Sequence, residues 1–314
     1  MKYINTFVES ERIIEHYLCK KKETRESRTG KTFINVRIQD KTGTIEAKVW
    51  DLTNDIKPFE EGEIIKIDAT VTSFQNELQL KVHKLRRSKP GEYNEDDYTP
   101  VTKKNIEKMY AQVIEMIGGV ESGFIKTLLE NIFINNQERV AKFKRHSAAK
   151  HMHHAFRGGL LEHTLAVSEI CLYLGSRYEH VNQDILLAGA LLHDIGKLDE
   201  LAPLPIIEYT DDGQMLGHII LGLQMVAEEI NKITGFPHET ASLIKHLIIS
   251  HHGEYEYGSP KLPSTPEAMI LHFADNIDAK LVSFEEIINK DTGDGNWTTF
   301  NRALNRYVRK PGKK

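Results

Sequence analysis

The sequence predicts a multidomain α and β protein, with a small five-stranded β-barrel followed by an all-α helical bundle. Three observations predict this division. Apolar and polar residues alternate through residues 34–82, which is typical of antiparallel strands with one face buried. From residue 106 onward the apolar residues recur at helical spacing instead. Thirteen of the 15 histidines lie between His146 and His272, inside the helical part.

The charges divide in the same way. Residues 1–90 contain 18 Lys and Arg against 14 Asp and Glu, a net charge of +4. The whole chain contains 41 and 45, so residues 91–314 contain 23 and 31, a net charge of −8. A basic amino-terminal part is suited to bind a polyanion, and an acidic carboxyl-terminal part is suited to bind cations.

Two further features restrict the class of protein. Cys19 and Cys171 fall in different predicted domains, so we expect no disulfide framework and a reducing cytoplasmic location. No apolar run approaches the ~18 residues that span a bilayer. The amino end has no apolar core of a signal peptide, so we expect neither a secretion signal nor membrane association.

The barrel is predicted from two hairpins and one earlier strand. Residues 34–39 and 45–50 alternate around a turn at 40–43, and residues 65–71 and 78–82 form the second hairpin. The earlier strand runs through residues 13–25. Five such strands most commonly form an OB fold. Residues 33–45 also resemble the nucleic-acid-binding OB folds, with an apolar strand, an Asp-Lys-Thr-Gly turn and a returning strand.

The outward face of this barrel combines cations with aromatic rings. Proteins that bind single strands use cations to contact phosphates and aromatic rings to stack bases. The alternative is a solvated charged face, with Phe33 and Phe74 in the core. For the basic set as a whole we predict a nucleic-acid surface, helped by loop cations such as Arg28 and Lys31. The predicted contact residues are Arg37, Lys48, Trp50, Lys84, Arg86 and Arg87.

Residues 91–157 are predicted to be an acidic linker followed by bridging helices. Thr99 is a suitable N-cap and Pro100 a suitable first residue for the first of these helices. A basic, histidine-rich stretch follows at 142–154. Three interpretations are open for it, in order of preference: a solvated loop, a phosphate-binding rim, or part of a metal site. Its histidines are His146, His151, His153 and His154.

The chemistry is predicted from His193 and Asp194, which end the apolar run 185–192. An ionised Asp there is costly unless a cation pairs with it. A neutral imidazole beside a carboxylate is also a good ligand pair for a divalent metal. Gly196 is predicted to end the helix and Lys197 to contact an anion. Alone the pair is weak evidence, because both side chains could face water at a helix end.

The pair belongs to a longer pattern. Predicted helices at 160–174, 182–194, 218–234, 238–250 and 265–281 carry further histidines and aspartates. The order H…HD…H…HH…D resembles the HD-domain metal-dependent phosphohydrolases over residues 150–285. This resemblance implies a first metal site, and a second one to which Asp194 bridges. The implied ligands are His163, His193, Asp194 and Asp275 for the first site and His218, His251 and His252 for the second.

The resemblance implies one or two divalent ions, with Asp194 and Lys197 as catalytic residues. Mixed imidazole and carboxylate ligands suit Mn²⁺, Co²⁺, Fe²⁺ or Zn²⁺ better than Mg²⁺, and we favour Mn²⁺. The predicted domains are an OB fold (1–90), a linker with bridging helices (91–157), an HD domain (158–285) and a carboxyl-terminal extension (286–314). We expect the basic end of that extension, 309–314, to be a disordered, solvated tail.

An OB fold followed by an HD domain resembles the YhaM-type 3′→5′ exoribonucleases. That resemblance implies metal-dependent hydrolysis of single-stranded RNA from its 3′ end to nucleoside 5′-monophosphates. Single-stranded DNA is a second expected substrate, and the architecture is compatible with a homo-oligomer.

Two alternatives remain open. An HD enzyme could act on a small nucleotide or cyclic dinucleotide, with the OB domain for regulation or assembly. The HD domain could instead be a ligand sensor in a nucleic-acid-binding protein, although the full ligand set argues against this. HD enzymes that hydrolyse cyclic dinucleotides have a glutamate where Gly159 stands and a Gly-Tyr-Pro motif near Gly258. Neither is matched here, which weakens the cyclic-dinucleotide alternative.

Overall fold

The computed structural model describes residues 1–26, 30, 32–50, 55–75, 77–150, 154–203, 207–302 and 304–312. The chain forms two compact units, one with Met1–Val101 and the other with Thr102–Ala202 and Ile207–Lys314. Several residues named above lie outside the described part: Arg28, Lys31, His151, His153, Lys313 and Lys314.

In the first unit, five strands close into a barrel in the order β1-β2-β3-β5-β4. The strands are β1 (Arg12–Glu26), β2 (Thr32–Asp40), β3 (Gly43–Val49), β4 (Ile64–Phe74) and β5 (Glu77–Arg87). Neighbouring strands are antiparallel except β3 and β5. The β2–β3 turn forms because the Asp40 carboxylate accepts hydrogen bonds from the amides of Thr42 (2.7 Å) and Gly43 (3.1 Å). The predicted barrel and both hairpins are confirmed.

A bulge changes which residues of β5 face outward. Ala69 pairs with Val82 and Asp68 with Lys84, so His83 is an extra residue opposite β4. Strict alternation would send Lys84 into the core after Leu80 and Val82. The bulge instead buries Leu85 and turns Lys84 toward solvent.

The predicted acidic linker lies against the barrel of its own unit. Tyr98 is buried with Leu18 and Ile64, and its carbonyl accepts a hydrogen bond from the Gln39 side chain at 2.9 Å. Residues 91–98 therefore extend the barrel's packing.

The second unit is helical. The central helix is α5, in which every residue from Ile185 to Leu192 is buried, and it packs against α4, α8 and α9. The helices are α1 (Ile106–Gly118), α2 (Gly123–Glu130), α3 (Gln137–Arg145), α4 (Gly159–Gly175), α5 (Gln183–Leu192), α6 (Lys197–Glu200), α7 (Asp211–Asn231), α8 (His238–Ser250) and α9 (Pro266–Lys290).

Two predicted helix starts are wrong. The first helix begins at Ile106, not after Thr99, because Asn105 caps it by accepting the Lys108 amide hydrogen at 2.9 Å. The helix predicted from His218 already starts at Asp211. It is kinked at Gly217, whose φ of 73° lies in the left-handed region that favours glycine.

Gly196 has a different role from the helix stop that we predicted. Its φ of −64° is open to any residue. A Cβ there, however, would lie 2.0 Å from the His218 carbonyl oxygen and 2.4 Å from the Gly222 amide. The glycine is required because α7 crosses close to the turn that follows His193.

The carboxyl-terminal end is structured as far as it is described. Trp297 pairs with Arg309, and Asn301 with Arg306, as isolated bridges. The expectation that the tail is disordered from Arg309 is therefore wrong for Arg309 and Lys310. Among the described residues, none of the helices has both the length and the apolar character needed to cross a membrane.

Candidate metal centre and nucleic-acid interface

The seven predicted ligands converge at one place in the helical unit. Helix α4 contributes one, the turn after α5 two, α7 one, the end of α8 two and α9 one. Their ligand atoms form two compact groups, each with atoms within 4.8 Å of one another. The first group is His163, His193 and Asp275, and the second is His218, His251 and His252.

Asp194 lies between the two groups. Its Oδ2 is 3.3 Å from Nε2 of His163 and 3.4 Å from Nε2 of His193. Its other oxygen, Oδ1, is 3.5 Å from Nε2 of His218 and 3.8 Å from Nε2 of His251. One carboxylate therefore faces both groups, an arrangement that can bridge two cations.

The five imidazoles share one orientation. In each ring Nδ1 donates to an oxygen, so Nε2 points to the centre and offers a lone pair there whenever the ring is neutral. The acceptors are Asp278 for His163, the Ala190 carbonyl for His193, Glu200 for His218, and the Ile248 and Tyr257 carbonyls for His251 and His252, at 2.6–3.0 Å.

Two of the imidazole nitrogens that face the centre indicate whether a metal ion fits there. Nε2 of His218 and Nε2 of His251 are buried and have no hydrogen-bond partner within the described part of the chain. Burying a polar atom without a partner costs free energy, so such atoms are uncommon in folded proteins. Imidazole nitrogens with a shared carboxylate are suitable ligands for a divalent transition metal. The residues present therefore fit such an ion.

Burial and neighbouring charges shift the pKa values of several groups in this site. Burial opposes ionisation of Asp194, but Lys197 and His193 hold the pKa of its carboxyl well below the usual range. Burial lowers the pKa of His251 and of His252, which keeps both rings neutral. Burial opposes protonation of His163, but three carboxylates led by Asp194 raise its pKa. The carboxylates thus concentrate negative charge that a bound cation would balance.

Sequence reasoning missed two carboxylates that orient ligands. Asp278 Oδ2 accepts from His163 Nδ1 at 2.7 Å. It lies three residues after Asp275 on α9, and that spacing was the available signal. Glu200 Oε1 accepts from both the backbone amide and Nδ1 of His218, at 2.9 and 3.0 Å. No local sequence pattern identified Glu200, because its contact with His218 depends on the kink of α7 at Gly217.

The preferred interpretation of the histidine-rich stretch is wrong for its described members. His146 and His154 are buried, not solvated. His154 Nε2 lies 3.0 Å from Asp278 Oδ2, so His154 and His163 share this carboxylate. His154 therefore belongs to the surroundings of the first group of ligands.

A cavity of about 250 Å³ opens beside the first group. Lys197 lines it, but its Nζ is only 2.5 Å from Asp194 Oδ2. Lys280 and Tyr257 also line it, and both side chains are exposed. Lys280 offers a positive charge at the rim, whereas the charge of Lys197 is matched by Asp194.

On the barrel, the predicted aromatic and lysine form a compact group. The rings of Trp50 and Phe33 stack with centroids 4.5 Å apart, which buries Phe33 beneath Trp50 on the outward side of β2. Lys48 Nζ lies 5.1 Å from the centroid of Phe74, an exposed ring. This group is similar to the stacking and cationic sites of single-strand binders.

The other four predicted cations each have a carboxylate partner, and of these Arg37 lies on β2, the strand that pairs with β3 beside Lys48. Arg86 donates two hydrogen bonds to Glu92, at 2.8 and 2.9 Å. The remaining pairs are Arg37–Glu46 at 2.7 Å, Lys84–Asp55 at 3.5 Å and Arg87–Glu63 at 3.1 Å. Only β5 residues 79–81 pair with β3, so Arg86 and Arg87 lie beyond the strand pairing that carries Lys48.

Known families match both units. The HD domain family matches residues 160–280, and the OB-fold nucleic acid binding domain family matches residues 19–87. Both matches fall inside the regions for which the sequence predicted these folds.

One curated relative matches nearly the whole chain. The 3′-5′ exoribonuclease YhaM of Geobacillus sp. (strain WCH70) is 32% identical over 285 residues, which are 90% of this chain and 86% of the relative. Among solved structures, the second OB-fold domain of replication protein A from Methanococcus maripaludis is 15% identical, with a TM-score of 0.23 over 27% of this chain and 92% of that one. An OB domain from Thermoplasma acidophilum is 20% identical, with a TM-score of 0.22 over 28% and 85%. Scores this low do not by themselves establish a shared fold.

Proposed function

This chain belongs to the YhaM 3′-5′ exoribonuclease family, and on that premise we propose that it shortens single-stranded RNA from the 3′ end. The products are nucleoside 5′-monophosphates, and single-stranded DNA is a second substrate. The observation that supports the chemistry is the position of Asp194 between two groups of inward-facing imidazole nitrogens.

The proposed metal ligands are the seven converging residues, which would hold one or two divalent ions, preferably Mn²⁺. A bound ion of this kind lowers the pKa of water and stabilises negative charge on phosphoryl oxygens. His163, His193, Asp194 and Asp275 form the first proposed ligand group, and His218, His251 and His252, with Asp194, form the second.

The protein's own groups prepare this centre. Lys197 keeps Asp194 ionised by its contact at 2.5 Å. Asp278 and Glu200 hold the rings of His163 and His218 in place through their Nδ1 atoms. Lys280 at the cavity rim is positioned to contact a substrate phosphate. Lys197 also lines the cavity, but its charge is largely balanced by Asp194, so its contribution to phosphate binding is smaller.

The barrel binds the RNA strand in this proposal. The OB-fold match indicates nucleic-acid binding. Trp50 and Phe74 would stack bases while Lys48 contacts a phosphate. The remaining predicted cations can contribute only by exchanging a carboxylate partner for a phosphate.

The test uses the full chain with Mn²⁺ and a single-stranded RNA labelled at its 5′ end. We expect a ladder that shortens from the 3′ end, with nucleoside 5′-monophosphates released. Asp194→Asn should remove the ladder but retain RNA binding. Asp199→Asn is the matched control, because Asp199 is an exposed carboxylate five residues away.

An unchanged ladder in Asp194→Asn would place the chemistry elsewhere. No ladder from metal-loaded protein, with turnover of a cyclic dinucleotide or a mononucleotide, would favour the small-nucleotide alternative instead.

A further inference from the structure

The carboxyl-terminal residues 296–302 and 304–310 form a small hairpin with a definite surface. The Thr298 amide donates to the Val308 carbonyl at 2.9 Å, and the Val308 amide donates to the Thr298 hydroxyl at 3.1 Å. Both residues are buried. Farther along, Asn301 and Arg306 exchange backbone hydrogen bonds of 2.9 and 3.2 Å. The hairpin is therefore anchored and holds its outward side chains in place.

Three aromatic rings of the hairpin face solvent. Trp297 is 58% exposed, Phe300 46% and Tyr307 60%. The Phe300 and Tyr307 rings contact each other edge to face, with centroids 5.2 Å apart. Large rings are costly to expose, and a group of them on an ordered element usually marks a binding surface.

Three exposed arginines alternate with these rings along the sequence of the hairpin, and their charges are not neutralised. Arg306 Nε donates to the Leu304 carbonyl at 2.9 Å, and Arg309 Nη1 donates to the Lys310 carbonyl at 3.0 Å. Carbonyl oxygens orient a guanidinium but leave its charge intact. In the described residues, neither these two nor Arg302 forms an ion pair with a carboxylate.

The local composition is opposite to that of its surroundings. Residues 295–314 contain six Lys and Arg and no Asp or Glu, although residues 91–314 carry a net charge of −8. Lys310 is the exception among the described cations, because it pairs with Asp291. The Arg309 guanidinium lies 5.9 Å from the centroid of the Trp297 ring, so cation and ring form one unit.

We propose that this hairpin surface binds a single strand of nucleic acid, with bases stacked on its rings and phosphates at its arginines. The hairpin surface consists of Trp297, Phe300, Arg302, Arg306, Tyr307 and Arg309. Unpaired arginines between exposed rings match a strand that carries one phosphate for every base, and no carboxylate of the surface opposes that charge. The choice of RNA as ligand rests on the proposed function, whereas the surface itself does not.

The experiment measures binding of a fluorescent single-stranded RNA to the full chain in the Asp194→Asn background, so that cutting does not interfere. Trp297→Ala and Tyr307→Ala should each weaken binding about fivefold or more, since one base stack is lost. Trp297→Phe should retain most of the affinity. Tyr178→Ala is the matched control, because Tyr178 is an equally exposed ring on the same unit.

The salt dependence tests the arginines separately. Arg306→Gln should reduce the slope of log K against log salt by about 0.7, the value for one phosphate contact on a single strand. Arg177→Gln, at an exposed arginine outside the hairpin, should leave the slope unchanged. Single-stranded DNA of the same sequence shows whether the surface distinguishes the two sugars. An equal loss of affinity for RNA and DNA in the variants supports binding through bases and phosphates, which both nucleic acids share.

Unchanged RNA affinity in Trp297→Ala and Tyr307→Ala would overturn the proposal, as would an equal loss of affinity for inorganic polyphosphate, which has no bases to stack. A changed oligomeric state with unchanged RNA affinity would assign the surface to contacts between copies of the chain and overturn it too. Failure of the exonuclease assay with hairpin-dependent binding intact would reject the proposed function alone.

Discussion

The proposed metal centre and the barrel surface use their charged groups in opposite ways. In the proposed metal centre Asp194 and the rings of His163, His193 and His251 are buried, and each of the five rings is held by an oxygen at Nδ1. On the barrel, the side chains of Arg37 and Arg86 are 54% and 37% exposed, and both pair with carboxylates beside them. Breaking a buried pair costs about 3–5 kcal/mol, whereas an exposed pair contributes only ~0–1 kcal/mol. The geometry of the centre is therefore costly to change, whereas the arginines of the barrel can exchange their carboxylate partners for phosphates.

The largest expected effect is stabilisation by metal, confined to one unit. Mn²⁺ at 100 times its Kd should stabilise the folded centre by about 2.7 kcal/mol. Amides of α5 and α7 that exchange only when the site opens should then exchange about 100-fold more slowly, as measured by hydrogen exchange with mass spectrometry. Strands β1–β5 should be unaffected. Equal slowing in the barrel, or slowing that persists in Asp194→Asn, would break the comparison.

The next effect comes from the two orienting carboxylates. Asp278→Asn and Glu200→Gln should each lower Mn²⁺ affinity or kcat/KM about 10- to 100-fold, the usual cost of removing the partner of a metal-ligating histidine. Titration of bound Mn²⁺ should assign the loss to different groups, since Asp278 contacts His163 and Glu200 contacts His218. Asp199→Asn again serves as control. Wild-type affinity in both variants would mean that the rings need no such support.

A smaller effect is expected on the barrel. Trp50→Ala should weaken RNA binding about fivefold, because it removes one stacking ring, without changing Mn²⁺ affinity. Trp50→Phe should restore most of the binding. Equal binding by both variants and the parent would remove the Trp50–Phe33 pair from the interface.

The smallest effect is expected at Arg86, which Glu92 already holds. Arg86→Gln should weaken RNA binding twofold or less, and Glu92→Gln should strengthen it slightly by releasing the arginine. The hydrogen bond from Arg86 lowers the pKa of Glu92 to about 2. The pair is thus fully present above the ordinary carboxyl pKa and is lost only as the pH falls from there through the lowered pKa of about 2. RNA binding at Arg86 should be constant from pH 5 to 8, and a marked change in that window would contradict the pairing.

Both folds could be predicted because their signals are local. Alternation in residues 34–49 specifies a strand pair with one buried face, and the Asp40 turn joins the two strands in register. The apolar run before His193 specifies a helix that must be buried on all sides, and α5 is so buried. The ordered hairpin at Trp297 was missed, because its pairing depends on only a few hydrogen bonds and its composition is that of a solvated tail.

The ligand residues could be proposed from the order of histidines and aspartates, because each occurs next to an apolar helix that must enter the core. The carboxylates that orient these ligand residues could not be proposed from the sequence. Asp278 contacts His163 across 115 positions of the chain, and Glu200 reaches His218 only because the helix kinks at Gly217. The sequence by itself therefore determined which elements form and which side chains are available as ligands. Only the tertiary structure decided which atoms face the centre, because those directions depend on close helix crossings such as the one at Gly196 and on hydrogen bonds between distant segments.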